Sequence, residues 1–299
     1  MKKKFIFMGD FANQMTIYST CKYLELKGIE VEAYFPDEED RISKVFQKIN
    51  INEKKSKEFM KYKKFQFLKI ILNQFQFIYS GLAPRNKSIE EYYFDKKIIY
   101  YEGVHYNLEL IQKERNKIFE CFEFPELKDE KNKKIAKLIE KTNSVSIHIR
   151  RGDYLNHPIF GNICTLEYYK KAIEEIKQRV EEPVFYIFSN DIEWCKNNFG
   201  FLENSYYINW NCKKEDNYKD MQLMSLCKNN ILANSSFSWW SALLNKNKEK
   251  IVIVPEKWIN EHRNQKLLWI NKIRYKIFGE RRNAYENMIP EKWIKIKNY

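Results

Sequence analysis

Apolar and polar positions along this chain keep two rhythms, a short continuous apolar run and a longer stretch of helical spacing, and the two alternate. Lys4 to Met8 is such a run, broken at Gly9 and Asp10. Helical spacing from Asn13 to Lys27 then ends at Gly28, and Ile29 to Phe35 resumes as a strand. Strand, glycine turn, helix, glycine stop and strand form the opening unit of a doubly wound α/β domain. Residues 36 to 80 carry acidic and Lys-rich helical patterns, with Phe65, Leu68, Ile71, Leu72, Phe75 and Ile78 on one stripe that predicts a face turned to a core.

After a charged helical stretch from Lys128 to Lys141, a second alternation begins. Strands are predicted at Ser144 to Ile149, Val184 to Phe188, Tyr206 to Ile208, Asn230 to Ala233 and Ile251 to Val254. Helices are predicted from Leu166 to Val180, through Trp194 to Asn198, from Tyr218 to Cys227 and from Trp239. Three of these strands run out into polar loops, and open α/β sheets bind ligands at the carboxyl ends of their strands. The expected boundary lies near residue 140, giving an N-terminal domain over 1–140 and a C-terminal one over 141–299.

With 299 residues, 44% hydrophobic and 16% aromatic, the chain has material for a sizeable core and is not globally disordered. Its net charge of +13 suits an anionic partner, but 43 lysines stand against ten arginines, and scattered lysine is the weaker signal. The six cysteines, Cys21, Cys121, Cys164, Cys195, Cys212 and Cys227, form no C-x-x-C pair and suggest neither a zinc site nor a disulfide framework. The apolar run after Lys2-Lys3-Lys4 is shorter than the roughly 7 to 15 residues of a signal peptide, and no run nears the roughly 18 of a spanning helix. A cytoplasmic protein is expected, with the basic, aromatic stretch from Lys266 to Tyr285 read either as a packed element or as a peripheral contact with an acidic membrane. Pro255-Glu256-Lys257-Trp258-Ile259 recurs as Pro290-Glu291-Lys292-Trp293-Ile294, too short to mark a structural repeat.

Three constellations carry chemistry. His148, Arg150, Arg151, Gly152 and Asp153 lie at the end of a predicted strand, and two adjacent guanidinium forks clamp phosphate oxygens at any working pH. Asp153 would orient one fork, unless the set is only an Arg–Asp surface pair. Asn234, Ser235, Ser236 and Ser238 follow another strand and open a helix, where hydroxyls and free N–H groups hold an anion or simply cap the helix. Asn190 and Asp191 stand at a third strand end. There a carboxylate either accepts from the N1–H and N2 amino group of guanine or caps the next helix. No D-x-D sequence occurs, and His105, His148, His157 and His262 lack metal-ligand spacing, so no metal site is predicted.

His148 to Tyr154, the block from Asp220-Met221 through Asn234-Ser235-Ser236-Phe237-Ser238-Trp239-Trp240, and Pro255-Glu256-Lys257-Trp258 together resemble the α-1,2-fucosyltransferase family of bacterial glycan synthesis. Phe11-Ala12-Asn13-Gln14-Met15 resembles that family's G-x-G-N-Q-M opening, with Ala12 in place of a glycine. The resemblance implies a GT-B architecture, two Rossmann-like domains facing a cleft, and inverting transfer of L-fucose from GDP-fucose with no metal or other cofactor. The acceptor would be a galactose-containing glycan or a lipid-linked oligosaccharide, met on the N-terminal side, with GDP-fucose on the C-terminal domain. Arg150 and Arg151 would hold the β-phosphate, Ser235, Ser236 and Ser238 the phosphate oxygens, and Asn190 with Asp191 the guanine. Asn234 stands in the same donor-binding block, and His148 would shape the donor side. Asn13 and Gln14 would reach across to the diphosphate or fucose. Asp10, Glu102, His105 and Asp153 are candidates for the general base on residue type alone. Competing readings are a fucosyltransferase with another linkage or a protein acceptor, a lectin-like relative without turnover, and a basic nucleic-acid-binding protein, which lacks a recognised motif here.

Overall fold

A computed structural model describes residues 1–35, 40–52, 78–80, 88–96, 100–260, 285 and 287–298. The Phe65 to Phe75 part of the predicted stripe and the Lys266 to Arg282 part of the basic aromatic stretch lie outside the described residues. The described residues gather into two compact units. One draws on residues 1–125 and 285–290, the other on 126–260 and 291–298.

In the first unit β1 (Lys2–Ile6), α1 (Phe11–Leu26) and β2 (Glu30–Tyr34) realise the predicted opening. α2 (Ile42–Val45), β3 (Ile78–Ser80), α3 (Ile89–Phe94), β4 (Tyr100–Glu102), α4 (Leu108–Lys113) and α5 (Arg115–Glu120) follow. The four strands are parallel in the order β2-β1-β4-β3. α1 is buried nearly all round, from Phe11 to Leu24, so it is an interior helix rather than an amphipathic surface one.

The second unit contains α6 (Glu130–Lys141), β5 (Asn143–Ile149), α7 (Leu166–Lys177), β6 (Pro183–Ser189), α8 (Ile192–Phe199), β7 (Ser205–Ile208), α9 (Tyr218–Leu226), β8 (Asn229–Ile231), α10 (Ser236–Leu244), β9 (Val252–Pro255) and β10 (Ile294–Ile296). All six strands are parallel, in the order β10-β9-β8-β5-β6-β7. β5 alternates cleanly. Val145, Ile147 and Ile149 pack on Tyr168, Tyr169 and Ile173 of α7, while the opposite face of the sheet turns Tyr186, Phe188 and Ile208 to Leu223 and Met224 of α9. Ile135 and Ile139 of α6 join that second cluster. Each isoleucine so buried contributes about 1.5–3 kcal/mol, which is why the division falls at 125/126 and not near 140: the charged helix belongs to the second sheet. The α/β class with parallel sheets is as expected.

Chain order runs outward in both directions from the centre of this sheet, β5-β6-β7 on one side and β8-β9-β10 on the other. The direction of winding therefore reverses between β5 and β8, and a crevice opens outside their carboxyl ends.

Candidate functional site

The Arg motif leaves β5 at that reversal. Arg151 is held on three sides. Its backbone N–H donates to Asn190 Oδ1 at 2.9 Å, its Nε donates to Asp191 Oδ2 at 3.0 Å, and its guanidinium carbon lies 3.9 Å from the centre of the Trp194 ring. Asp191 in turn caps α8, its Oδ1 accepting from Trp194 N at 3.2 Å. A helix cap, an ion pair and a cation–π contact thus aim one guanidinium and leave its Nη groups clear of Asp191. Arg150 is set by Asp153, with Nη2 donating to Oδ2 at 3.0 Å, and its guanidinium sits 5.5 Å from the Tyr154 ring centre. The turn that follows Arg151 needs Gly152. Its φ is +28°, and a Cβ there would stand 2.5 Å from Asn190 Nδ2.

At the carboxyl end of β8 the serine block has divided duties. Ser235 caps α10, its Oγ accepting from Phe237 N at 3.3 Å. Ser238 is fully buried and donates to the carbonyls of Ala233 and Ser235, and Asn234 donates to the carbonyls of Phe160 and Trp258. Ser236 is half-buried in the first turn, where helix N–H groups favour an anion. Residues 232–235 lead straight from β8 into α10, so the helix opens at Ser236, before the predicted Trp239. A cavity of about 220 Å³ brings the two motifs together, with Arg150, Arg151 and Asn234 in its lining beside Tyr154, Phe160 and Ile163.

His148 is buried, its ring 5.6 Å from that of Phe237, and its Nδ1 has no hydrogen-bond partner. Burial, reinforced by the Arg150 charge, pushes the imidazole down to about 3, so it is neutral at working pH. The unfolded chain takes up a proton near pH 6.5 that the folded chain refuses. His148 therefore contributes stability above pH 6.5 that is lost as pH falls towards 3. His148→Gln is expected to shrink the stability lost between pH 7 and pH 5 by about 2 kcal/mol, read from urea unfolding at both values.

One group was not singled out from the sequence. Asp220 lies in the first turn of α9, which enters β8 and so starts at the carboxyl edge of the sheet, packed on α10. Its Oδ1 accepts from Asn211 Nδ2 at 2.7 Å, within a buried net that continues through Asn132 to Trp210 Nε1. Burial outweighs that hydrogen bond and raises the carboxyl to about 7. A lone acidic side chain inside the apolar spacing of Met221, Leu223 and Met224 was the available signal.

In the first unit, the turn after β1 places Asn13 and Gln14 in the first turn of α1. Gly9 has φ +78°, and a side chain on it would collide with Asn13. Gln14 is fully buried, with Oε1 accepting from the Arg41 N–H at 3.0 Å. Asp10 pairs with Arg41 Nη1 at 2.8 Å and remains mostly exposed, while His105 is half-buried. Among the described residues no group of three or more His, Cys, Asp or Glu could hold a metal ion, and no helix is long and apolar enough to cross a membrane.

The model of glycosyl transferase family 11 matches residues 4–275. The chain belongs to this family. Within it, the chain is 44% identical over 140 residues to the O-antigen biosynthesis glycosyltransferase WbnK of Escherichia coli, covering 45% of this chain and 46% of that protein. It is 37% identical over 173 residues to an α-1,2-colitosyltransferase of Escherichia coli, covering 55% and 51%. It is 31% identical over 103 residues to galactoside α-(1,2)-fucosyltransferase 1 of Homo sapiens, covering 33% and 28%. The chain spans about half the length, or less, of these curated relatives. The family is the one that the Arg, serine and tryptophan motifs implied.

Proposed function

We propose that this family 11 chain transfers L-fucose from GDP-fucose to a galactoside hydroxyl, forming an α-1,2 linkage with inversion, in the assembly of a bacterial surface glycan such as O-antigen. The observation that carries the reading is the cavity at the winding reversal of the second sheet, where two pre-aimed guanidinium groups meet Asn234 in the loop that leads into α10. As the fucose C1–O bond lengthens, negative charge grows on the β-phosphate. Groups already aligned on that oxygen bind the transition state more tightly than the ground state. Arg150, Arg151 and the first turn of α10 with Ser236 take this role, and no metal is invoked. Ser235 and Ser238 shape the turn.

The base of the nucleotide is read at the same edge. Both oxygens of Asp191 already accept within the protein, which favours a role in aiming Arg151. Neutral His148 stands beside Phe237 of α10. The acceptor is a galactose-containing glycan or lipid-linked oligosaccharide. Asp10, Glu102 and His105 of the first unit and Asp153 are the general-base candidates on residue type, with Asp10 and Asp153 each paired with an arginine. The chain works in the cytoplasm, at or near the inner face of the membrane.

The relative named as a colitosyltransferase favours a second reading, the same linkage made with a colitosyl donor. Incubation of GDP-fucose with a panel of galactosides, with and without chelator, followed by linkage analysis, decides. Transfer to O2 of galactose that persists in chelator is expected. A different linkage or loss on chelation would refute the corresponding part, and transfer only from a colitosyl donor would favour the second reading.

A further inference from the structure

The loop between β5 and α7 forms one wall of the arginine-lined cavity, through Phe160, Asn162, Ile163 and Cys164. Tyr154 and Phe160 stack within it at 5.2 Å, and His157 Nδ1 accepts from the N–H groups of Ile159 and Phe160. Beyond these contacts the loop is tied down from outside by three asparagine side chains, each donating to a loop carbonyl. Asn234 donates to Phe160 O at 3.1 Å, Asn260 to Gly161 O, and Asn298 to Ile163 O at 3.0 Å. Asn234 and Asn260 lie beyond β8 and β9, neighbours in the sheet, but Asn298 arrives from 135 positions away.

What delivers Asn298 is the second Pro-Glu-Lys-Trp-Ile segment. The first copy leaves β9 and buries Trp258, whose carbonyl accepts from Asn234. The second copy buries Trp293 and runs into β10, which pairs in parallel with β9 through Ile294–Ile253 and Ile296–Pro255. The two copies therefore meet. Lys257 N–H donates to Asn298 Oδ1 at 3.1 Å, and Asn298 Nδ2 donates to Lys257 O at 3.1 Å as well as to Ile163 O. This one amide spends both donor hydrogens and its acceptor on joining the first copy to the cavity wall.

We propose that Asn298 is a positioning residue for the arginine-lined cavity, fixing the wall at Ile163 through a strand, β10, laid down by the second Pro-Glu-Lys-Trp-Ile segment. Resting on the donor reading above, the proposal gives this residue an effect on donor binding although it is not part of the cavity lining. Asn298→Ala removes both links. Asn298→Asp keeps the acceptor for Lys257 N–H and loses the donors to Ile163 O and Lys257 O, so it separates the donor bonds from the acceptor bond.

Cys164 supplies a readout independent of activity. Its thiol lies in the cavity wall, donates to Asn234 Oδ1 at 3.5 Å, and is pushed by burial up to about 12, so it resists alkylation until the wall opens. Iodoacetamide labelling of Cys164, followed by peptide mass mapping, is expected to run about tenfold faster in both variants than in the parent, the effect of losing one or two hydrogen bonds that hold the wall. In parallel, the KM for GDP-fucose should rise about tenfold with kcat and thermal midpoint little changed. Labelling within twofold of the parent in both variants would overturn the proposal. Faster labelling with an unchanged KM would overturn the link to the donor. A parent protein that binds neither GDP nor GDP-fucose by calorimetry would instead refute the donor reading, and with it the donor half of the proposal, while the labelling still decides whether Asn298 holds the wall.

Discussion

Arg151→Ala is expected to lower fucosyl transfer by about 100-fold or more while leaving the fold in place. Four groups converge on this side chain: Asn190 fixes its backbone, Asp191 its Nε, Trp194 its plane, and Gly152 allows the turn that follows it. An arginine held this way reorganises little when charge develops on a phosphate oxygen, and the lost interaction belongs to the transition state. kcat and kcat/KM should therefore fall together. The effect on stability is small, because the Arg151–Asp191 pair is partly open to water and exposed ion pairs contribute little. Arg151→Lys should recover only a minor part of the rate, since an ammonium group cannot stack on Trp194 and fork towards phosphate together. Initial rates with GDP-fucose, alongside a thermal melt, check both statements. Near-native rates in a folded Arg151→Ala protein would remove this residue from the mechanism.

Trp239→Ala is expected to be the most destabilising single change, by about 3–5 kcal/mol. Trp239 and Trp240 are both fully buried, their rings edge to face at 5.3 Å, on the helix that packs against α9. The cavity left by an indole would not be refilled by its close-packed neighbours. Against a total stability of about 5–15 kcal/mol, that loss should move the urea midpoint far down. It should also loosen α10, so that on the donor reading proposed above GDP affinity falls as well. A midpoint within experimental error of the parent would show that the indole is not a packing anchor.

Much of this could be read along the chain because burial writes itself into local pattern. β5 sits between two covered faces and therefore reads as a strand with apolar residues at every second position, and β6 and β9 read as apolar runs for the same reason. β3, β4 and β10, three residues each, went unpredicted, while the equally short β8 showed because Leu232 and Ala233 extend its apolar run before a polar loop. The position of α6 was misjudged for a related reason. Its Ile135–Ile139 stripe says that it is covered, and nothing in the stripe says by which sheet.

The site divides in the same way. Two arginines and a serine-rich helix start were legible as groups suited to phosphate, because donor chemistry is a property of residue type. Of their partners, the adjacent Asp153 was legible and the distant ones were not. Asp191 and Arg151 lie 40 positions apart, Asn234 and Phe160 lie 74 apart, and the net around Asp220 joins α6, the loop after β7 and α9. The sequence by itself determined the alternation of strand and helix, the class of fold, and which loops carry groups able to hold an anion. All of these follow from steric and hydrophobic preferences acting over a few residues. Only the tertiary structure decided that β8 lies beside β5, so that arginine and serine loops share one crevice, and that Asn234 and Ser238 are spent on the scaffold. Those outcomes depend on which distant surfaces bury one another, a free energy that no local window of the chain contains.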